Sequence, residues 1–139
     1  MTTPKIFDRA AILRTLTSGR SFRDTAAPHP VVTRVEEDVI DRVAGVLRDF
    51  PKGVVMAPFP TRLAAGLTGL DRVGTVSVAA VLGDIPGAQA IMDDEALPLA
   101  DQSIDLLISL LSLQAANDLP GALIQARRAL QPDGLFLAV

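Results

Sequence analysis

The chain has 139 residues, 49% of them hydrophobic, which suits one domain with a buried core and excludes a disordered tail. It has no cysteine and one histidine, which excludes a disulfide scaffold, a thiolate zinc site, a histidine-rich metal site and cysteine catalysis. A net charge of −3 and the absence of Trp and Tyr argue against a basic or base-stacking surface for nucleic acid.

Residues 1–30 are interpreted as a basic helical arm and linker, with five basic residues against two acidic ones. The apolar spacing predicts a short helix over residues 8–18. The run 26–30 is predicted to be a linker, because two prolines hold extended backbone around His29. We expect this histidine to be exposed and not catalytic, since no second His or Cys exists to form a relay.

The central part of the chain is predicted to alternate helix and strand. Residues 31–50 form the strongest helical pattern, with Val and Leu recurring at three- and four-residue steps. The β-branched runs 54–57 and 73–81 are predicted as buried strands, and residues 61–69 between them as a short helix.

A second alternation of strand and helix follows. Residues 88–92 are predicted as a weak third strand and residues 104–110 as a buried fourth strand. Asp118 is a favourable N-cap for a helix that runs to about Leu130, with Pro in its first turn. The side chains expected to face the core from this helix are Leu119, Leu123, Ile124, Ala126 and Leu130.

The chain ends in a predicted turn, residues 131–134, and a fifth strand, residues 135–139. Strands that alternate with helices indicate βαβ units and a parallel sheet covered on both faces. A terminal strand that is apolar throughout would be an aggregation hazard at an open edge. We therefore expect a protein partner or a second copy of the chain to cover it, or more chain to follow.

Several signals along the chain concern its location. No apolar run reaches the roughly 18 residues that a membrane span needs. Charged residues interrupt the start of the chain, so no signal peptide is recognisable. We expect no membrane span and a cytoplasmic location.

Four motifs follow one another in the C-terminal third of the chain: Asp93-Asp94-Glu95-Ala96-Leu97-Pro98-Leu99, Ser103-Ile104-Asp105-Leu106-Leu107-Ile108-Ser109, Asn117-Asp118-Leu119-Pro120-Gly121-Ala122-Leu123 and Arg127-Arg128-Ala129-Leu130-Gln131-Pro132-Asp133-Gly134-Leu135-Phe136. In this order they resemble the second half of the nucleotide-binding core of class I S-adenosylmethionine-dependent methyltransferases. The resemblance is closest to the branch that includes the biotin-pathway methyltransferase and the respiratory complex I assembly factors. The opening Ile6-Phe7-Asp8-Arg9 fits that branch as well.

The resemblance implies a Rossmann-like, three-layer α/β sandwich with about five mainly parallel strands. This domain would occupy residues 31–139, with the helical arm of residues 1–30 in front of it. The family domain normally continues with two further strands and a helix. We therefore expect a partial domain that is truncated after the fifth strand.

The resemblance also places the cofactor. The family holds S-adenosylmethionine with a glycine-rich turn and an acid after the first strand, an acid ending the second strand, and an acid after the third that meets adenine. Asp93 matches the adenine-side acid, with Asp94 and Leu97 beside it. The second strand ends in Ala79-Ala80 without an acid. The turn after the first strand has neither glycine nor acid and contains Ala57, Pro58, Phe59, Pro60, Thr61 and Arg62.

These departures predict a methyltransferase-like protein with an eroded S-adenosylmethionine site, working as a non-catalytic binding or assembly protein. The alternative is an active S-adenosylmethionine-dependent methyltransferase with an unusual cofactor loop. A third hypothesis is another small ligand in the same crevice beyond the carboxyl ends of the strands. No metal site is expected.

The sequence identifies no catalytic residue. Ser109 and Ser112 have no histidine partner for nucleophilic catalysis, and Gln114-Ala115 stands where the branch favours His-Trp. The acidic triplet 93–95 is open to two interpretations, an adenine-site remnant or a solvated loop. Asp105 is expected to bond a neighbouring loop, and residues 127–128 to lie on a solvated helix face.

Overall fold

The computed structural model describes residues 4–18, 29–57, 60–80 and 88–139, and all structural statements refer to these ranges. Their helices are α1 (Arg9–Ser18), α2 (Pro30–Ala44), α3 (Pro60–Thr68) and α4 (Leu119–Ala129), with a 3-10 turn over Leu113–Ala115. Their strands are β1 (Phe50–Ala57), β2 (Val73–Ala80), β3 (Ala90–Ile91), β4 (Ile104–Ser109) and β5 (Leu130–Ala138).

The five strands form one sheet in the order β3-β2-β1-β4-β5, and every neighbouring pair is parallel. Each crossover between parallel strands needs a long connection, which α3 supplies between β1 and β2 and α4 supplies between β4 and β5. The predicted Rossmann-like α/β fold is confirmed. β5 lies at one edge of the sheet, and no described residue pairs with its outer side.

Two apolar clusters cover the two faces of the sheet, because successive side chains of a strand point to opposite faces. One face of β1 and β4 packs against α2 and α3, through a cluster that includes Val39, Val43, Val55, Leu63, Leu67, Leu106 and Ile108. The other face packs against α4, through a cluster that includes Val54, Met56, Leu107, Ala126, Ala129 and Leu130. This arrangement gives three layers, as predicted.

Helix α2 is shorter than predicted. It ends at Ala44 rather than at Phe50, and the chain enters β1 at Phe50. The amide of Phe50 donates to the carbonyl oxygen of Arg72 at 2.7 Å and its side chain is fully buried. Pairing with β2 and burial of the ring therefore override the helical spacing of the last six residues.

The start of α2 also clarifies the predicted linker. Residues 26–28 lie outside the described ranges, but His29 is the N-cap of α2, and its Nδ1 accepts a hydrogen bond from the Val31 amide at 3.3 Å. This histidine is exposed, as predicted. A capping role agrees with its position directly before the proline that begins the helix.

Helix α4 buries only some of the side chains that the apolar pattern predicts to face the core. Leu119, Leu123 and Ile124 were expected to face inward, but they are 43%, 42% and 70% exposed. Ala126 and Leu130 are buried as predicted, and Ala122 and Ala129 complete the buried face. Small side chains let the helix lie close to the sheet, so the alanine stripe rather than the larger side chains faces β4 and β5.

The end of α4 differs from the prediction as well. The segment 131–134 was expected to form a turn, but β5 runs without a break from Leu130 to Ala138. Its pairing with β4 changes register between Ile104 and Leu106, which accommodates the Pro-Asp-Gly sequence inside the strand.

Candidate functional site

The carboxyl ends of β1, β2 and β4 meet at one edge of the sheet. The register aligns Ala57 with Ala80 and Met56 with Ser109. In parallel α/β sheets the crevice beyond this edge is the usual place for a ligand. The segment after β3 spans toward α4, where the Leu97 amide donates to Oε1 of Gln125 at 2.8 Å. The candidate site therefore has a β1–β2 side and an acidic side formed by this segment.

The β1–β2 side contains no described carboxylate at the strand ends. Ala57, Ala79 and Ala80 are fully buried and fill the positions where β1 and β2 end. Pro58 and Phe59 lie outside the described residues. Helix α3 already begins at Pro60, so only two residues separate strand from helix.

The acidic side is occupied by an arginine from the N-terminal arm. The Arg9 guanidinium donates to Oδ1 of Asp93 at 3.0 Å and to Oδ1 of Asp94 at 2.6 Å. It also lies 3.3 Å from Oε1 of Glu95. Charge-assisted contacts of this length are the strong ones. The acidic triplet therefore forms an ion-pair cluster around Arg9, in which Asp94 is buried and Asp93 stays half-exposed.

Asp94 is the buried member of this cluster, with 1% of its surface exposed. Burial raises the pKa of its carboxyl, while the hydrogen bond and charge of Arg9 act to lower it. Its Oδ2 atom is buried and has no hydrogen-bond partner. Asp94 also lines a cavity of about 10 Å³ together with Leu97 and Ser109, room for about one water molecule.

The two other acids order the loop itself. Asp93 Oδ1 accepts a hydrogen bond from the Glu95 amide at 2.9 Å, and Asp93 forms an isolated antiparallel bridge with Ala96. Glu95 Oε1 accepts hydrogen bonds from the backbone N–H groups of Asn117 and Asp118, the second at 3.1 Å. The loop is therefore joined to the N-terminus of α4, and the Asp118 side chain caps that helix as predicted, accepting the Gly121 amide at 3.0 Å.

Residues 6–9, which we call the N-terminal strap, are held at a second point besides Arg9. The amides of Ile6 and Phe7 each donate to Oδ1 of Asn117 at 2.8 Å. The Asn117 amide group in turn donates from Nδ2 to the Phe7 carbonyl at 3.1 Å. Three hydrogen bonds and one guanidinium thus attach the strap to the acidic side of the site.

The serines that were considered as nucleophiles lie inside the protein. Ser109 and Ser112 are both buried, and their hydroxyls are hydrogen-bonded to each other. Gln114 is exposed, and its Nε2 donates to the Leu111 carbonyl at 2.9 Å. None of these contacts includes a base that would activate a hydroxyl.

The remaining predicted polar residues lie away from the crevice or act as structural contacts. Asp105 Oδ2 accepts the backbone amide of Lys52 at 3.0 Å, near the amino end of β4. Arg127 is exposed. Arg128 is exposed as well, as expected, and it also bonds Asp101 at 2.8 Å and the Leu99 carbonyl at 3.0 Å. It therefore ties α4 to the loop before β4.

A second buried acid lies between α2 and α3. Glu36 is 2% exposed, and its Oε2 atom lies 3.4 Å from Nε of Arg62 without a hydrogen bond. Burial raises the pKa of this carboxyl, the charge of Arg62 acts to lower it, and Glu37 raises it further. Arg62 also donates to Thr33 Oγ1 at 2.8 Å.

The sequence did not identify Arg9 and Asn117 as site residues. The available signal was the contrast between a basic arm and the acidic run 93–95, together with the Ile6-Phe7-Asp8-Arg9 motif. Charge contrast alone selects no partner, because the arm has five basic residues within its thirty. Arg9 and Asp94 are more than 80 residues apart in the sequence, so no local pattern indicates that they are in contact.

Among the residues that the structure describes, no group of three or more His, Asp or Glu side chains could hold a metal ion. No described helix is both long and apolar enough to cross a bilayer.

Comparison with known proteins supplies a family context for this geometry. Residues 52–138 match the family model described as a methyltransferase domain. The chain is 31% identical over 140 residues to the mitochondrial arginine-hydroxylase NDUFAF5 of Danio rerio, which covers 95% of this chain and 44% of that protein. It is 44% identical over 45 residues to the malonyl-[acyl-carrier protein] O-methyltransferase of Gallionella capsiferriformans, 32% of this chain and 16% of that protein.

A solved structure agrees at the level of the fold. A SAM-dependent methyltransferase from Thermotoga maritima superposes with a TM-score of 0.62 at 18% identity, covering 93% of this chain and 59% of that one. The chain spans less than half the length of the Danio rerio protein. The activities in these names belong to those longer proteins.

Proposed function

The chain belongs to the class I S-adenosylmethionine-dependent methyltransferase family, and on that premise we propose that it is a binding or assembly protein with an eroded cofactor site. One observation carries the proposal. The ends of β1 and β2, where the family resemblance requires acids, are buried alanines. The sequence between β1 and α3 also contains no glycine with which the backbone could approach a ligand closely.

The two acids that are absent at the ends of β1 and β2 would contribute much of the affinity for S-adenosylmethionine. A hydrogen bond to a charged group contributes about 1.5–3 kcal/mol. Losing two of them weakens binding by on the order of 10³-fold. A site of micromolar affinity would then be almost empty at ordinary cofactor concentrations.

A second candidate function is an active methyltransferase with an unusual cofactor loop. The ordered acidic side favours it, because Asp93, Asp94 and Leu97 are the proposed adenine-side residues and the loop that carries them is bonded to α4 at Gln125. The names of the relatives include both a methyltransferase and a hydroxylase. Membership of the family therefore does not select the reaction.

The assembly role needs a partner. The outer edge of β5 has no strand beside it among the described residues, and we propose that a protein partner or a second copy covers it, the alternative being further chain as in the longer relatives. We further propose that residues 31–139 form the methyltransferase-like domain behind the arm of residues 1–30, and that the protein acts in the cytoplasm. Light scattering at tens of micromolar tests the homodimer: a monomer mass would contradict it.

Calorimetric titration of the folded chain with S-adenosylmethionine and S-adenosylhomocysteine tests the eroded site. We expect no saturable binding below millimolar concentration. A micromolar dissociation constant would overturn the proposal and favour the second candidate. In that case Asp93→Asn should weaken binding, whereas Asp101→Asn, at an exposed acid of the loop before β4, should leave it unchanged.

A further inference from the structure

We propose that the N-terminal strap is a built-in occluding segment, whose Arg9 occupies the acids that would otherwise receive the amino group of an adenine nucleoside. The strap and such a ligand would then exclude one another. This inference rests on the proposed assignment of Asp93 and Asp94 to the adenine side of the site. It adds a second cause for weak cofactor binding, besides the alanines at the ends of β1 and β2.

Arg9 and an adenine amino group offer the same chemistry to the acidic side of the site. A guanidinium and an adenine amino group both present N–H donors to carboxylate oxygens. Arg9 already donates to Oδ1 of both Asp93 and Asp94. A nucleoside that used either of these oxygens would have to share or displace the guanidinium, and the cationic donor makes the stronger hydrogen bond.

The strap is a short peptide that is attached at both of its ends. Asn117 holds the amides of Ile6 and Phe7, and Arg9 follows only two residues later. Glu95 connects these two points of attachment, because it lies beside Arg9 and also accepts a hydrogen bond from the backbone N–H of Asn117. The strap therefore lies along the acidic side of the site as one bonded unit.

The attachment of the strap is polar, and some of its polar atoms have no hydrogen bond. The side chains of Ile6 and Phe7 are exposed, so little apolar burial holds the strap in place. Arg9 Nη1 and Asp94 Oδ2 are both buried without a hydrogen-bond partner. Unsatisfied buried polar groups oppose the closed state. Release of the strap would break these polar contacts and leave both apolar clusters of the sheet in place, because neither cluster includes a strap residue.

The test compares three full-length proteins: the wild type, Arg9→Gln and the control Arg127→Gln, which changes an exposed arginine on α4. Each is titrated with S-adenosylhomocysteine up to millimolar concentration. Hydrogen exchange of the strap amides is followed by mass spectrometry with and without the ligand. We expect Arg9→Gln to bind at least tenfold more tightly than wild type and to exchange its strap amides faster. Arg127→Gln should match wild type in both measurements.

The outcomes separate this inference from the proposed function. Faster strap exchange in Arg9→Gln without any gain in affinity would overturn the occlusion and leave the eroded site intact. Micromolar binding by the wild type would overturn the eroded site. Strap protection that persists in that saturated complex would overturn the occlusion as well.

A second variant covers the case in which Arg9→Gln does not fold. Asn117→Ala releases the other end of the strap and leaves all three acids in place. It should show faster strap exchange and a gain in affinity in the same direction. If this variant shows no gain in affinity for S-adenosylhomocysteine up to millimolar concentration, the strap does not occlude the adenine side of the site.

Discussion

Two buried carboxylates of this protein each face an arginine, and the two pairs differ in how well they are bonded. Asp94 accepts a 2.6 Å hydrogen bond from Arg9. Two further acids, Asp93 and Glu95, also form ion pairs with Arg9. Glu36 lies 3.4 Å from Nε of Arg62 and has no hydrogen bond at its buried oxygen. Burial raises the pKa of both carboxyls.

The difference shows what each charge does. The Arg9–Asp94 pair joins segments more than 80 residues apart and holds the strap on the acidic side of the site. The Glu36–Arg62 pair joins two packed helices that already share an apolar cluster. The Arg9–Asp94 pair is therefore a tether, by which we mean an ion pair that holds the N-terminal strap in its position. The Glu36–Arg62 pair lies between helices that the apolar cluster already holds together.

The largest expected effect comes from breaking the tether. Arg9→Ala leaves Asp94 with a buried charge and no counter-ion, so it should lower the free energy of unfolding by about 2–4 kcal/mol. Urea denaturation monitored by circular dichroism measures this. Arg127→Ala, the exposed control, should change stability by no more than about 0.5 kcal/mol. An equal effect of the two substitutions would refute the tether.

A smaller effect is expected at the second anchor of the strap. Asn117→Ala removes three hydrogen bonds to Ile6 and Phe7. These contacts are at the surface, so we expect a loss of about 1–2 kcal/mol in the free energy of unfolding. Exchange of the strap amides should accelerate more than exchange of the amides in β1. Uniform acceleration over the whole chain would instead indicate global destabilisation.

The smallest expected effect has the opposite sign. Glu36→Gln keeps the shape of the side chain and removes a poorly bonded buried charge, so at pH 7 it should stabilise the protein by on the order of 1 kcal/mol. Because the folded-state pKa of Glu36 is raised, the folded protein binds this proton more tightly than the unfolded chain does. The wild type therefore loses stability as pH rises from the ordinary glutamate pKa through the folded one.

The pH dependence provides the control for this variant. The advantage of Glu36→Gln over wild type should be present at pH 7 and vanish below about pH 4, where both states are protonated. Denaturation at several pH values measures it. A substitution that destabilises at pH 7 would show that the Arg62 charge outweighs the burial of Glu36.

Local sequence patterns predicted most of the elements and misplaced side chains at particular points. The β-branched run of β2 and the N-cap at Asp118 were both correct. The spacing of α2 extended too far because Phe50 has the periodicity of a helix but pairs with β2. In α4 the pattern placed Ala126 and Leu130 correctly in the core. It also placed Leu119, Leu123 and Ile124 there, although they are exposed, since hydrophobicity alone does not register how closely a helix must approach the sheet.

The sequence likewise predicted one part of the candidate site and missed another. The sequence by itself determined the fold class, the absence of acids at the ends of β1 and β2, and the acidic run 93–95, because these depend on residue types and order. Only the tertiary structure decided that Arg9 and Asn117 close the acidic side. Those contacts depend on how distant segments meet in space, and the energy of a buried ion pair comes from burial and distance, which no local pattern encodes.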